Sequence, residues 1–121
     1  MTPVSAPTAV DQVLVTAAPG DAITNLARSL RPVFERIGPS QLYARNVAPG
    51  LADEVMSLDA FIAPRRQWLA DGTLTGFSER ETHAETQIQG RIAQRWSRYA
   101  KSGCLNGTAL HATGTKAIQF I

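Results

Sequence analysis

Three acid–base side chains recur at every second position in the C-terminal half of the chain. Glu81, His83 and Glu85 follow this pattern within a stretch rich in threonine. On a β-strand this spacing places all three side chains on one face, with neighbours about 7 Å apart. Such a group could pair a histidine base with an orienting carboxylate, and His83 and Glu81 are then the candidate catalytic residues. Alternatively, the three side chains could hold a metal ion. We favour a simpler interpretation, an outer sheet face that carries ion pairs and lies inside a dimer contact or in solvent.

A second group of polar side chains is predicted to share the opposite face. Arg80, Arg95, Ser97 and Tyr99 carry two guanidinium groups and two hydroxyl groups. Fixed donors of this kind can grip a carboxylate or polarise a carbonyl. We therefore predict that these four residues bind a ligand. The alternative is that the arginines pair with carboxylates of the helices or reach solvent.

Three segments of strand-like composition must position both groups. Threonine, isoleucine and aromatic residues are frequent in residues 75–89, 91–101 and 110–121, which predicts three long antiparallel strands. The predicted turns between them are Gln89-Gly90 and Asn106-Gly107, and Asn-Gly is the strongest short hairpin signal. The C-terminal half is therefore predicted to be a β-meander.

The position of the first turn determines which side chains face each other. A turn at Gln89-Gly90 places His83 opposite Trp96, Glu81 opposite Arg98 and Arg80 opposite Tyr99. A turn at Gly90-Arg91 moves the partners by two residues but keeps both faces, because side chains alternate with period two. One face, called here the Trp96 face, is predicted to carry Glu79, Glu81, His83, Glu85, Gln94, Trp96 and Arg98. The other, the Tyr99 face, is predicted to carry Ser78, Arg80, Thr82, Ala84, Thr86, Ile88, Ala93, Arg95, Ser97 and Tyr99.

The Tyr99 face is the predicted interior. Burying several carboxylates and a histidine on the Trp96 face would be costly, because each unpaired charge loses its hydration. Small and hydroxyl-bearing side chains pack under helices at lower cost, and an Asn106-Gly107 hairpin adds Ile118 and Phe120 to this face. Ile92 and Trp96 on the other face argue against this interpretation. In addition, a single β-bulge would move Ile118 and Phe120 to the Trp96 face.

Two amphipathic helices are predicted in the N-terminal half. One runs from Asp21, a plausible N-cap, to Ile37, and the other from Ser57 to Asp71. Pro32 and Pro64 lie inside them and predict kinks.

The remaining segments carry weaker signals. Residues 39–56 fit either a short strand or a turn of helix. Residues 1–20 contain three of the seven prolines and predict an N-terminal arm or a short helix. Residues 21–121 predict a single domain. Because the helices precede the meander, the fold class is predicted to be α+β rather than doubly wound α/β.

Composition excludes several classes of function. With 44% hydrophobic residues in 121, the chain is predicted to be globular, and its single Cys104 excludes an internal disulfide framework or a cysteine-based zinc motif. The net charge of +2 is scattered, so we expect no nucleic-acid partner. No apolar run reaches the roughly 18–20 residues of a membrane span. The first basic residue is Arg28, so we expect no signal peptide, no membrane partner and a cytoplasmic location. No cofactor or metal is expected either.

Three short motifs follow one another along the predicted strands. They are Phe77-Ser78-Glu79-Arg80-Glu81, then Gly90, Ala93 and Trp96-Ser97-Arg98-Tyr99, and finally Lys116-Ala117-Ile118-Gln119-Phe120. With the helix before them, these motifs resemble the SnoaL-like branch of the nuclear transport factor 2-like superfamily over roughly residues 55–121. The resemblance implies a cone-shaped α+β fold, with N-terminal helices packed on a strongly bent antiparallel sheet and a cavity between them. It also implies a homodimer through the outer face of the sheet.

The resemblance carries an expectation about function. It implies a cavity that binds a small, mostly apolar molecule with an oxygenated end, with cofactor-free proton transfer of the isomerase, dehydratase or cyclase type if the protein is an enzyme. The alternative is a non-catalytic dimerisation or scaffold module with a closed cavity. The acid–base residues of the known enzymes have no matching motif here. A further strand with a Gly-Trp-Arg-like sequence usually follows in this family. The sequence ends at Ile121, so either this tail is missing from it or the sheet is one strand short.

Overall fold

A mixed β-sheet with one helix packed on each face organises the chain in the computed structural model, which describes residues 4–5 and 8–120. The strands follow the order β4-β3-β2-β7-β6-β5 across the sheet, and β1 pairs with β7 beside β2. The elements are β1 (Val4–Ser5), β2 (Ala9–Ala17), α1 (Ala22–Glu35), β3 (Leu42–Val47), β4 (Val55–Ser57), α2 (Leu58–Asp71), β5 (Leu74–Gln89), β6 (Ile92–Leu105) and β7 (Thr108–Phe120), with a 3-10 turn at Pro49–Leu51. The α+β fold class is therefore confirmed.

Parallel pairing in the N-terminal half makes the sheet mixed. Strands β5, β6 and β7 form the predicted antiparallel meander, whereas β2 pairs in parallel with both β7 and β3, and β3 pairs in parallel with β4. The prediction of a wholly antiparallel sheet is therefore wrong. Parallel neighbours need a crossover connection, and α1 supplies it between β2 and β3. The cone shape and the strong bend of the sheet stay predictions.

Strand β2 lies between β3 and β7, in the segment predicted as an arm or a short helix. That expectation is wrong for Ala9–Ala17, where Val10, Gln12 and Leu14 alternate with more exposed neighbours. The polar Gln12 interrupts the apolar alternation in the sequence. It is nevertheless fully buried, and its Nε2 donates a hydrogen bond of 2.8 Å to the Ala27 carbonyl of α1, while its Oε1 has no hydrogen-bond partner within the described residues.

Helix α1 covers β2 and β3 on the Trp96 face of the sheet. Asp21 caps it by accepting a hydrogen bond of 2.9 Å from the Thr24 backbone, as predicted, and the helix is not split at Pro32. Ala27 and Ala44 are completely buried, and their small side chains let helix and sheet approach closely. The core here comprises Leu14, Ala17, Ala27, Leu42, Ala44, Leu51 and Val55.

Helix α2 packs on the opposite, Tyr99 face. Ser57 caps its start through a hydrogen bond of 3.1 Å from the Ala60 backbone, and Gly72 ends it in the left-handed conformation at φ +82°, as the sequence predicts. The Phe61 ring contacts Tyr43 of β3 edge-on, at 5.1 Å between centroids. No residue of α2 is fully buried. The helix therefore covers this end of the Tyr99 face only partly.

Two-residue turns join the strands of the meander. Asn106 and Gly107 have φ of +51° and +78°, so the predicted turn is confirmed, and both positive angles are those of a type I′ hairpin. The other turn is Gly90-Arg91, the alternative placement, since Gln89 pairs with Ile92. Tyr99 pairs with Gly114 and Arg95 with Ile118, which places Ile118 on the Tyr99 face as expected.

A β-bulge at Thr82 exchanges the two faces along β5. His83 pairs with Arg98, but the next pair is Glu81 with Tyr99, so that Thr82 is left without a partner of its own. The pairings predicted for a turn at Gln89-Gly90 are wrong, whereas the alternative turn at Gly90-Arg91 correctly pairs His83 with Arg98. The bulge then moves the partners of Glu81 and Arg80 by one further residue, to Tyr99 and Ala100. Before the bulge, Glu79 and Glu81 lie on the Tyr99 face, and Arg80, opposite Ala100, lies on the Trp96 face.

The contact between Tyr99 and Gly114 gives a test of the β6–β7 register. A β-carbon added to Gly114 would overlap the hydroxyl group and ring of Tyr99, whereas one added to Gly50 meets no atom within 4 Å. We expect Gly114→Ala to lower the free energy of unfolding by about 1–3 kcal/mol, as overpacking does. Urea denaturation measures it, with Gly50→Ala as the matched control. Equal stability of the two variants would contradict this register.

Candidate functional site

Glu81 connects two of the residues predicted to bind a ligand. Its carboxylate accepts hydrogen bonds from Arg95 Nη2 at 2.7 Å and from Ser97 Oγ at 2.5 Å. Arg95 also donates to Thr86 Oγ1 at 2.9 Å. The hydrogen bond from Ser97 and, to a smaller extent, the one from Arg95 lower the pKa of Glu81 from its ordinary value. Arg95 and Ser97 thus already have a carboxylate partner within the chain, supplied by the bulge.

Tyr99 is buried beside this ion pair. Its ring lies over Gly114, with the Lys116 ammonium 4.7 Å from the ring centroid. Burial, reinforced by the charges of Asp11 and Glu79, raises the pKa of Tyr99 to about 12. Burial also raises the pKa of Asp11, although its carboxylate accepts a hydrogen bond of 2.9 Å from the Gln41 backbone. The Tyr99 face is therefore a polar layer in which side chains bind one another.

Arg80 is separated from the other three predicted ligand-binding residues. It lies on the Trp96 face, whereas Arg95, Ser97 and Tyr99 share the Tyr99 face. The predicted pair of arginines around the tyrosine hydroxyl is therefore not assembled. Whether the individual residues bind a ligand stays a prediction.

A groove of about 700 Å³ opens on the Trp96 face. Four of its residues form one row across four strands, since His83 pairs with Arg98, Arg98 with Thr115, and Thr115 with Val10. The next row contains Glu85 opposite Trp96. The lining is Val10, Thr82, His83, Glu85, Trp96, Arg98 and Thr115.

The groove has an apolar floor and a polar wall. Val10 is 5% exposed, and the Trp96 ring is held edge-on by Phe34 of α1 at 5.8 Å between centroids. On the β5 side, His83 Nε2 lies 3.4 Å from Glu85 Oε1. Within residues 8–119, Arg98 makes neither an ion pair nor a side-chain hydrogen bond, so its five N–H donors face the groove and solvent. This arrangement can hold an apolar body next to an anion.

The bulge also separates Glu81 from His83 and Glu85. Glu81 lies on the opposite face, so the His83–Glu81 pair is wrong and Glu85 is the carboxylate next to His83. A metal ion held by all three is excluded for the same reason. No cluster of three or more His, Cys, Asp or Glu suited to a metal occurs in the part of the chain that the structure describes.

Val10 and Thr115 were not anticipated as site residues. Thr115 lies opposite Arg98 in the hairpin of β6 and β7, and Val10 joins them only through the parallel pairing of β2 with β7. The sequence predicts an arm or a short helix there, and the β-branched Val10, Val13, Val15 and Thr16 are the local signal that could have indicated a strand.

No protein-family model, curated protein or solved structure matches the chain. The resemblance to the SnoaL-like branch therefore stays a prediction. Within the described residues, neither helix is long and apolar enough to cross a membrane.

The hydrogen bonds to Glu81 predict a pH dependence of stability. Because folding lowers the pKa of Glu81 below its ordinary value of 4.5, its contribution is present at neutral pH and disappears as the pH falls through the lowered pKa. We expect Glu81→Gln to lower the free energy of unfolding at pH 7, with a difference from wild type that shrinks towards pH 3. Urea denaturation at both pH values measures this. Glu85→Gln, on the other face, is the control, and a pH-independent difference for Glu81→Gln would argue against the bonded carboxylate.

Proposed function

We propose that this domain binds a small, mostly apolar molecule with an anionic, oxygenated end in the groove on the Trp96 face. The observation that carries the proposal is the row of Arg98, Thr115 and Val10 beside Trp96. It places a guanidinium that has no ion-pair partner among residues 8–119 next to an apolar floor. A groove of about 700 Å³ lies within the range of roughly 300–1,000 Å³ that is usual for small-molecule sites.

The apolar part of the ligand would lie over Trp96 and Val10. Phe34 holds the indole in place from the α1 side, so the floor is formed before a ligand arrives. An aromatic or alicyclic ring placed there covers apolar surface that water otherwise wets, which favours binding.

The anionic end would lie next to Arg98. A guanidinium binds a carboxylate through two parallel hydrogen bonds, and the Thr115 hydroxyl in the same row can donate a third. Glu85 stands opposite Trp96, one row away, and repels a second negative charge at that position. The two rows therefore orient the ligand, with its charge at Arg98 and its apolar body over Trp96.

A matched pair of probes tests this function. We expect 2-naphthoate to bind and the neutral 2-naphthalenemethanol to bind at least tenfold more weakly, because only the carboxylate can pair with Arg98. Amide NMR titration measures both affinities and locates the shifted residues. Arg98→Ala should weaken naphthoate binding roughly tenfold. Arg45→Ala, an exposed arginine on β3, is the control. Equal binding of both probes, or an unchanged affinity in Arg98→Ala, would refute the proposal.

A second candidate function, general acid–base catalysis on the bound molecule, is favoured by the contact of His83 with Glu85 at the groove. A carboxylate 3.4 Å from an imidazole nitrogen orients the ring. His83 would then remove a proton from a carbon next to a carbonyl group and return it to another position.

The catalytic proposal is tested by hydrogen–deuterium exchange at the α-carbons of 2-tetralone, an apolar ketone. We expect the protein to accelerate exchange above the buffer rate, with a loss of about 100-fold in His83→Gln. One-dimensional NMR in deuterated buffer follows the rate. An exchange rate that is the same for wild type and His83→Gln would exclude proton transfer by His83, while the binding test above would stand.

A further inference from the structure

Strand β5 forms one edge of the sheet and leaves its outer side open. It is 16 residues long and pairs only with β6 within the described residues. All of its residues except Leu74 and Ala84 are exposed, including Phe77 at 42% and Ile88 at 75%. A long exposed edge with apolar side chains is a template for pairing with another strand.

We propose that β5 pairs antiparallel with β5 of a second copy of this chain, about a twofold axis that passes next to Thr82. In this register the sequence numbers of facing residues add up to 165. Arg80 of one copy then faces Glu85 of the other, Phe77 faces Ile88, and Ser78 faces Gln87. Each contact occurs twice, because the interface is the same surface on both copies.

The bulge at Thr82 is what makes this register compatible with the two faces of the sheet. A twofold axis perpendicular to a sheet keeps each face on its own side, so facing residues must share a face. In a regular strand Arg80 and Glu85 lie on opposite faces. Here the bulge between them returns both to the Trp96 face. Ile88, opposite Ala93, lies on the Tyr99 face, whereas Phe77 lies in a second irregularity of β5, where it and Gly76 together stand opposite Gly103.

The backbone groups match in the same register. Gln89 and Ile92 flank a two-residue turn, and their backbone groups hydrogen-bond to each other. Because backbone N–H and C=O groups point to alternate sides along a strand, Ala84 and Thr86 direct theirs away from β6. Beyond the bulge the outward positions are Glu79 and Glu81. A sum of 165 pairs Ala84 with Glu81 and Thr86 with Glu79, so that outward backbone groups meet outward backbone groups.

The charges favour this register over its neighbours. Within residues 8–119, Arg80 makes no ion pair, and Glu85 has only His83, at 3.4 Å. Two Arg80–Glu85 pairs satisfy these two charges across the axis. A shift by two residues in either direction would place Arg80 opposite His83 or Gln87 and set the Thr82 bulge of each copy against regular strand.

Charge reversal tests the register. We expect wild type to sediment as a dimer at micromolar concentrations, and Arg80→Glu and Glu85→Arg each to raise the dissociation constant roughly tenfold or more through like-charge contacts. The double variant with both changes should recover wild-type association, since it restores opposite charges. Arg45→Glu on β3 and Asp53→Arg before β4, both exposed and towards the opposite edge of the sheet, are the matched controls. Circular dichroism verifies that each variant is folded.

Cross-linking tests the geometry without altering charge. In a Cys104→Ala background, chains with Ser78→Cys and chains with Gln87→Cys are mixed and oxidised. We expect a disulfide between the two kinds of chain and little within either kind, because residue 78 faces residue 87 and neither faces itself. A wild type that stays monomeric, a folded double variant that does not recover, or cross-links that form equally within one kind of chain would each overturn the proposal.

Discussion

The unpaired residue Thr82 in β5 is the constraint on which the other contacts depend. One extra residue reverses the faces of Ser78–Glu81, and a second irregularity at Gly76 and Phe77 restores them for Leu74 and Thr75. Glu81 thereby reaches Arg95 and Ser97 on the Tyr99 face, and Arg80 moves to the Trp96 face. His83 is left beside Arg98 and Glu85, which form the wall of the groove. Without the bulge, three carboxylates and a histidine would line a single face.

The two faces of the sheet therefore have different physical characters. On the Trp96 face, α1 buries an aliphatic core against β2 and β3, and the groove lies beyond Phe34, over β5, β6 and β7. On the Tyr99 face, carboxylates, ammonium groups and tyrosines lie against one another. Their pKa values move in opposite directions, lowered for Glu81 by hydrogen bonds and raised for Asp11 and Tyr99 by burial. Glu81 accepts hydrogen bonds from Arg95 and Ser97 within this layer, and Asp11 accepts one from the Gln41 backbone.

The groove and the open edge are built from the same strand. Residues of β5 that point to the Trp96 face line the groove, while the outward backbone groups of that strand form the edge. Glu85 lies at both, next to His83 in the groove and opposite Arg80 in the proposed edge register. Arg98 belongs to the groove alone and Arg80 to the edge, so binding and association are separable by substitution.

Local signals in the sequence predicted the elements whose stability is itself local. The capped helices at Asp21 and Ser57 and the Asn106-Gly107 hairpin are specified by residues within one turn of each other, and the structure contains all three. Strand alternation also assigned Arg95, Ser97 and Tyr99 correctly to one face. Tertiary structure alone decided the rest. The parallel position of β2 consists of pairings with β3 and with the distant β7, and the bulge at Thr82 has no glycine or other local mark. Pairing between distant strands is a global property, and a one-residue change in it decides whether a carboxylate meets a histidine or an arginine.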